Sequence, residues 1–167
     1  MAAVADRPSD SPKADRIRAL RAGRRLALIS IFEADFGQRT PGAILERHLS
    51  EVEGDPGTAA LARAIVEAVV AQRENIDIAI ATAAPQYPVV SLARMDRALL
   101  RCALGEVLHS GTTPARVAIA EWVELARIYS GDPMRRLMNG VLGNIASESV
   151  TALARRGASR TPGPRGS

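Results

Sequence analysis

Prolines and glycines divide this chain into long segments with helical periodicity, and this division limits the fold more than any other feature of the sequence. The segment 14–36 contains no proline and is followed by Gly37. Its apolar residues recur at the three- and four-residue spacing of one helical face: Ile17, Leu20, Leu28, Ile31 and Phe32. This pattern predicts one long helix over 14–36.

The same punctuation continues through the middle of the chain. A short helix is predicted at 43–49 after Pro41, and a long helix at 59–84 with Thr58 as its N-cap. The sequence PQYP at 85–88 ends that helix, because proline lacks a backbone N–H and restricts the residue before it. We therefore predict a boundary between two lobes at this position.

The second half of the chain repeats the pattern. A helix that begins at Ser91 is ended by Gly111. Thr113-Pro114 and Asp132-Pro133 each place a capping side chain directly before a proline of the first turn. These pairs predict two further helices, which end near residues 129 and 155.

The composition agrees with a helical protein. Hydrophobic residues make up 47% of the 167 positions but aromatic residues only 3%, which favours patterned helices over strands. We predict an all-α helical domain over 13–156, with lobes at about 13–88 and 89–156. Segments 1–12 and 157–167 are rich in Pro, Gly, Ser and Ala, and we predict that both are disordered tails.

Catalytic and metal-binding patterns are not found in the sequence. His48 and His109 have no neighbouring nucleophile pattern, and the glycines of GDPGTAALAR lack the Lys and Ser/Thr of a phosphate-binding loop. Glu121 and Glu124 share a helical face, which we interpret as a solvated edge rather than a metal pair. We therefore expect no enzyme, no cofactor and no metal site.

The sequence also indicates the cellular compartment in which the protein is expected. Cys102 is the only cysteine, so no disulfide forms within the chain, as is typical of a reducing compartment. No apolar run is long enough to cross a bilayer, which needs about 20 residues, and the first residues do not resemble a secretory signal. We expect a cytoplasmic protein without membrane contact.

The strongest functional signal is RIRALRAGRR at 16–25, which places five arginines in ten positions. On a helix, Arg18, Arg21 and Arg25 form one stripe that continues into Leu28 and Phe32. Arginines near a helix start oppose the helix dipole and repel one another, so they gain nothing within the helix. The pattern favours an anion-binding surface, most simply for a nucleic-acid backbone, over an ordinary solvated face.

A second feature is MRRLMNGVLGNIA at 134–146, where Gly140 and Gly143 interrupt a predicted helix. Each glycine costs about 1 kcal/mol relative to alanine in a helix interior. Two interpretations stay open: close helix packing across the glycines, or an exposed contact surface at Met138 and Asn139.

Taken together, these segments resemble the NusB family of transcription antitermination factors. The matching stretches are RALRAGRRLALISIFEAD near the start, MDRALLRCALGEVL at 95–108, TPARVAIAEWVELAR at 113–127 and LMNGVLGNIA at 137–146. They occur in the family's order and spacing, and the resemblance covers about residues 14–150. It implies an all-helical fold with two lobes of about three helices each.

The resemblance also implies partners. Family members bind the boxA segment of nascent RNA together with NusE, a small-subunit ribosomal protein, within an RNA polymerase antitermination complex that supports ribosomal RNA transcription. The implied RNA-binding residues are Arg16, Arg18, Arg21, Arg24, Arg25, Phe32, Leu137 and Met138. The implied protein-contact residues are Asp96, Arg97 and Arg101. Leu137 replaces a common aromatic residue of the family, so this position offers apolar contact without a π face.

Three other interpretations of the sequence stay open. A similar helical domain begins certain ribosomal RNA cytosine methyltransferases, although this chain has no cofactor-binding βα pattern. A helical protein-binding adaptor would bind NusE-like partners without a preference among RNA sequences. A homodimer through an apolar helix face is the third, and Trp122 and Tyr129, seven residues apart, fit either a core or such an interface.

Overall fold

The computed structural model describes residues 11–158, and their ordered elements are helical. The α-helices are α1 Pro12–Ala34, α2 Pro41–Glu51, α3 Pro56–Ala71, α4 Arg73–Ala83, α5 Arg94–Leu104, α6 Ala115–Ser130 and α7 Asp132–Ala158. A 3-10 turn, Val89–Ser91, precedes α5, and a π-helical turn, Gly105–Ser110, continues it. No strand occurs among these residues, so the predicted all-α class is confirmed.

The predicted tails lie mostly outside the described residues, at 1–10 and 159–167. Where the predictions overlap with the structure they are corrected, because Pro12 begins α1 and residues 157–158 belong to α7. The division of the helices into two lobes stays a prediction.

Three helices begin with a capping side chain followed directly by proline. The pairs are Ser11-Pro12, Thr40-Pro41 and Asp55-Pro56. Each capping oxygen accepts a backbone N–H of the first turn, and proline loses no hydrogen bond at that position. The predicted caps were wrong at three places. Pro114, not Thr113, is the N-cap of α6, and Asp132 is the first residue of α7 and not the residue before it. Thr58 instead donates its hydroxyl to the Ala19 carbonyl at 2.8 Å.

The long helix predicted at 59–84 is two helices, separated at Gln72. A straight helix of that length would extend about 39 Å, and the break turns α4 so that Ile76 and Ile80 are fully buried. The helix predicted from Ser91 begins instead at Arg94, because residues 89–92 form a turn whose carbonyl oxygens face the Arg97 guanidinium.

The buried side chains form a continuous core through both halves of the chain. Helix α1 packs mainly on α3 and α2, α6 packs mainly on α7, and α5 contacts both α1 and α6. Leu99, Leu100 and Leu104 of α5 and Trp122 of α6 are completely buried at the centre. Helix α5 therefore fixes the position of α1 relative to α6.

Close backbone approach occurs at glycines other than those predicted. A Cβ added at Gly23 would lie 2.7 Å from the Thr58 carbonyl oxygen, and one added at Gly105 would lie 2.8 Å from Val69 Cγ2. A Cβ at Gly140 or Gly143 would meet no atom within 4 Å. The interpretation of these two glycines as a close-packing site was therefore wrong, since they lie on the exposed side of α7.

Candidate nucleic-acid interface

The arginines predicted to bind RNA lie on the first half of α1, but they do not share one environment. Arg16, Arg18, Arg21 and Arg25 are exposed, whereas Arg24 is only 2% exposed. Because successive residues of a helix are about 100° apart, Arg18, Arg21 and Arg25 project from one side of α1, within about 60° of one another. Arg24 and Arg16 project from other sides of the helix. Only the exposed arginines can reach a ligand in solution.

Arg24 is part of a buried ion pair. Its Nε and Nη2 donate to the two carboxylate oxygens of Glu106 at 2.9 and 2.7 Å, and Glu106 is completely buried. Trp122 Nε1 donates to the same carboxylate at 2.7 Å. The π-helical turn that begins at Gly105 carries Glu106 into the core. The prediction that Arg24 binds RNA is corrected, because its guanidinium is already engaged inside the protein.

Arg21 forms an ion pair at the edge of the core. Its Nε and Nη2 donate to Glu121 of α6 at 2.9 and 3.1 Å. These hydrogen bonds, and the attraction of the Glu121 charge, raise the pKa of Arg21. The interpretation of Glu121 as a solvated edge was wrong, because its side chain is only 20% exposed.

The remaining arginines of α1 face solvent. Arg18 contacts Asp15 one turn earlier at 2.5 Å, in a pair that is more than half exposed on both sides. Arg16 and Arg25 form no ion pair with another residue of 11–158. Exposed cations of this kind retain their counterions and can exchange them for phosphate groups.

An open groove of about 600 Å³ runs beside these arginines, between α1 and the connection from α2 to α3. Arg18 and Arg25 line it together with Val52, which is half exposed. The acidic residues Asp15, Glu53 and Asp55 line the same groove, so its positive charge is confined to the α1 side. Arg25 also lines a second depression of about 360 Å³ that contains Arg21 and Glu121. Arg25 thus lies between two concave surfaces, where a bound chain can be contacted from either side.

Phe32 is half-buried and does not offer a free aromatic face. Its ring packs edge-on against Phe36, with the centroids 5.4 Å apart, and it contacts the core. Phe36 is 51% exposed, and the Arg94 guanidinium lies 4.5 Å above its ring. The exposed aromatic residue near the end of α1 is therefore Phe36, which sequence analysis did not identify.

A second concave region lies between α7 and the segment before α5. Leu137 and Tyr87 line two adjoining cavities of about 370 and 380 Å³, and Asp96 lines the second. Asp96 accepts a hydrogen bond from the Ser130 hydroxyl. Leu137 and Asp96 are thus brought together, and Tyr87, 47% exposed, is an aromatic residue that sequence analysis missed.

Met138 does not belong to this surface. Its side chain is completely buried, while Asn139 beside it is exposed. Met138 is rotated by about 100° around α7 from Leu137, and this rotation places its side chain in the core. The prediction of Met138 as an RNA contact is therefore corrected.

The basic residues predicted to contact a protein partner are ion-paired within the fold. Arg101 is 6% exposed and donates to both oxygens of Asp77 at 2.9 Å. Arg97 donates to Asp35 and to carbonyl oxygens before α5. Arg101 is therefore corrected to a structural residue, and Arg97 presents little of its side chain to solvent.

No group of metal-ligating side chains and no helix suited to crossing a membrane occurs within residues 11–158.

Comparison with known proteins identifies relatives of this chain. The model of the NusB family matches residues 21–147. The transcription antitermination protein NusB of Heliobacterium modesticaldum is 38% identical over 128 residues, which cover 77% of this chain and 62% of that protein. This chain therefore spans less than two thirds of that relative.

Solved structures share the fold. A T. maritima NusB structure has a TM-score of 0.70 and 28% identity over 77% of this chain and 91% of that chain. A structure of the antitermination factors NusB and NusE in complex with dsRNA has a TM-score of 0.69 and 19% identity, and covers 79% of this chain and 98% of that chain. Since the family model covers more than half of the sequence and the helices follow the same fold, the chain belongs to the NusB family.

Proposed function

We propose that this protein is a non-enzymatic transcription antitermination factor. It binds boxA RNA together with NusE, within the RNA polymerase antitermination complex that supports ribosomal RNA transcription in the cytoplasm. The observation that carries the proposal is the group of exposed arginines Arg16, Arg18 and Arg25 on α1, beside an open groove. Family membership and the NusB–NusE–dsRNA structure of the same fold support it.

The arginines of α1 supply the affinity in this proposal. Guanidinium groups bind phosphate oxygens through charge-assisted hydrogen bonds, which hold the RNA but do not read its sequence. Sequence preference comes from unstacked bases contacted by side chains elsewhere. The cavities at Leu137 and Tyr87 provide apolar and aromatic surface for such bases, and Asp96 beside them provides a polar contact for NusE.

The direct test is a fluorescence anisotropy titration of labelled boxA RNA and of a scrambled RNA of equal length, at about 0.15 M salt, with and without NusE. We expect tighter binding to boxA, and a further gain when NusE is present. Equal weak binding to both RNAs, unchanged by NusE, would contradict the proposal and leave a helical protein-binding adaptor.

The salt dependence of the same titration identifies which arginines contact phosphate groups of the RNA. Each phosphate contact on a single strand contributes about 0.7 to the slope of log K against log salt. Arg25→Ala should therefore flatten the slope by about 0.7. Arg73→Ala removes the same charge from an exposed position near the other end of α1, and should leave the slope unchanged.

A further inference from the structure

Glu121 of α6 places a negative charge next to the exposed arginines of α1, which are Arg16, Arg18, Arg21 and Arg25. Its carboxylate accepts two hydrogen bonds from Arg21, and it lies 4.0 Å from Arg24 Nη1. The Glu121 side chain is 20% exposed, while that of Arg21 is 53% exposed. An anion from solvent can therefore approach the exposed side of the Arg21 guanidinium, while Glu121 already binds the side that faces the protein.

The local charges cancel around this pair. Arg21 and Arg24 supply two positive charges, and Glu106 and Glu121 supply two negative charges. A paired arginine retains few counterions, so it contributes little to the counterion release that drives RNA binding. The two parallel hydrogen bonds between Arg21 and Glu121 also have the geometry that a phosphate group would use.

Glu121 is not needed to neutralise the buried charges. Arg24 already forms both of its short hydrogen bonds with Glu106, and Trp122 adds a third hydrogen bond to that carboxylate. The pair between Glu121 and Arg21 thus acts mainly on the exposed guanidinium, which belongs to the proposed RNA surface.

We propose that Glu121 competes with the RNA backbone for Arg21 and thereby sets the RNA affinity of this protein. Direct phosphate contacts are then made by Arg16 and Arg25, and Arg21 joins them only when a phosphate displaces the Glu121 carboxylate. This inference rests on the RNA binding proposed above.

The test compares Glu121→Gln with Glu124→Gln in anisotropy titrations of labelled boxA RNA over a range of salt concentrations. Glu124 is a matched control, because it lies on the same helix and attracts Arg21 only over a longer distance. Its carboxylate accepts two hydrogen bonds from Arg127, at 3.0 and 2.6 Å. Both substitutions remove one negative charge, so they change the net charge of the protein equally.

We expect Glu121→Gln to tighten RNA binding roughly 3- to 10-fold at about 0.15 M salt, and to steepen the slope of log K against log salt by about 0.7. Glu124→Gln should have a clearly smaller effect on both quantities. In an Arg21→Ala background the gain in RNA affinity from Glu121→Gln should disappear, because the guanidinium for which Glu121 and the RNA phosphate compete is then absent.

Several outcomes would overturn the inference. Equal gains for the two Gln variants would mean that only long-range charge matters, and weaker binding by Glu121→Gln would mean that Glu121 orients Arg21 for RNA. In both cases the wild-type protein binds RNA and the proposed function survives. If no correctly folded variant binds RNA even at low salt, the proposed function fails and the inference fails with it. Thermal melts of each variant, followed by circular dichroism, establish that it is folded.

Discussion

Arg24 and Arg25 are neighbours in the sequence, yet they occupy opposite environments. Arg24 is 2% exposed and forms two hydrogen bonds with a carboxylate 82 residues away. Arg25 is exposed, forms no ion pair with another described residue and lies between two concave surfaces. One helical step of about 100° separates a residue that holds the fold together from one that is available to a ligand.

The comparison shows that arginine content alone does not measure an RNA-binding surface. A buried arginine must be paired, because an isolated charge inside a protein is very costly. An exposed arginine contributes little to stability but retains its capacity to bind anions. Substitutions on the two sides of α1 should therefore separate stability from binding.

The largest effect is expected for Arg24→Ala. This change leaves the Glu106 carboxylate buried without its cation, so the free energy of unfolding should fall by about 3–5 kcal/mol. Arg25→Ala should change it by no more than about 0.5 kcal/mol. Urea denaturation of both variants measures the difference, and similar losses in the two would contradict the contrast between the arginines.

A smaller effect is expected at Gly23, the residue before Arg24 on α1. Gly23→Ala places a methyl group 2.7 Å from the Thr58 carbonyl oxygen, so α1 and α3 must move apart, at a cost of about 1–3 kcal/mol. Gly140→Ala is the matched control in open space on α7, and should stabilise the protein by about 0.5–1 kcal/mol. Thermal melts should therefore give a lower Tm for Gly23→Ala and a higher Tm for Gly140→Ala. A higher Tm for both variants would show that α1 is not held tightly against α3.

The smallest effect is expected for the exposed pair between Glu46 of α2 and Arg63 of α3, joined at 2.8 and 3.0 Å. The hydrogen bonds from Arg63 lower the pKa of Glu46 below its ordinary value. The pair therefore stabilises the fold at pH values above that ordinary pKa of about 4.5, and this contribution is lost as the pH falls through the lowered pKa.

The pH dependence supplies the measurement for this pair. The difference in Tm between wild type and Glu46→Gln should be small near pH 7 and should shrink further as the pH falls through the lowered pKa of Glu46, because the wild-type carboxyl then also loses its charge. Glu51→Gln on the same helix is the control, because Glu51 forms no ion pair within the described chain. A difference that grows on acidification would have the wrong sign for this mechanism.

Much of the fold could be predicted from the sequence, because proline and glycine mark helix ends through local geometry. The break at Gln72 could not be predicted this way, since neither proline nor glycine occurs there and the core alone determines the turn. The same limit applies to Arg24. Its place one turn before the buried Leu28 follows from helical spacing, but its partner Glu106 is supplied by a distant π-helical turn.

The candidate site was predicted in part. The structure leaves four of the five predicted arginines of α1 exposed, and their role in RNA binding stays a prediction. That Asp96 and Leu137 line one cavity was not predicted from the sequence. Tyr87 and Phe36 were missed because their exposure depends on how turns and helix ends fold back on the core. Glu121 was misassigned for the same reason, since its partner lies 100 residues away on α1.

The hydrogen bond from Trp122 to Glu106 gives the molecule a built-in optical reporter. Trp122 is the only tryptophan of the sequence, it is completely buried, and its indole N–H contacts a charged carboxylate. The tryptophan fluorescence of the protein, excited at wavelengths that tyrosine does not absorb, therefore arises from one site in its interior. Ligand binding at the outer arginines leaves this emission unchanged unless α1 shifts against α6, so an emission change during a titration would separate a rearranged core from simple surface binding.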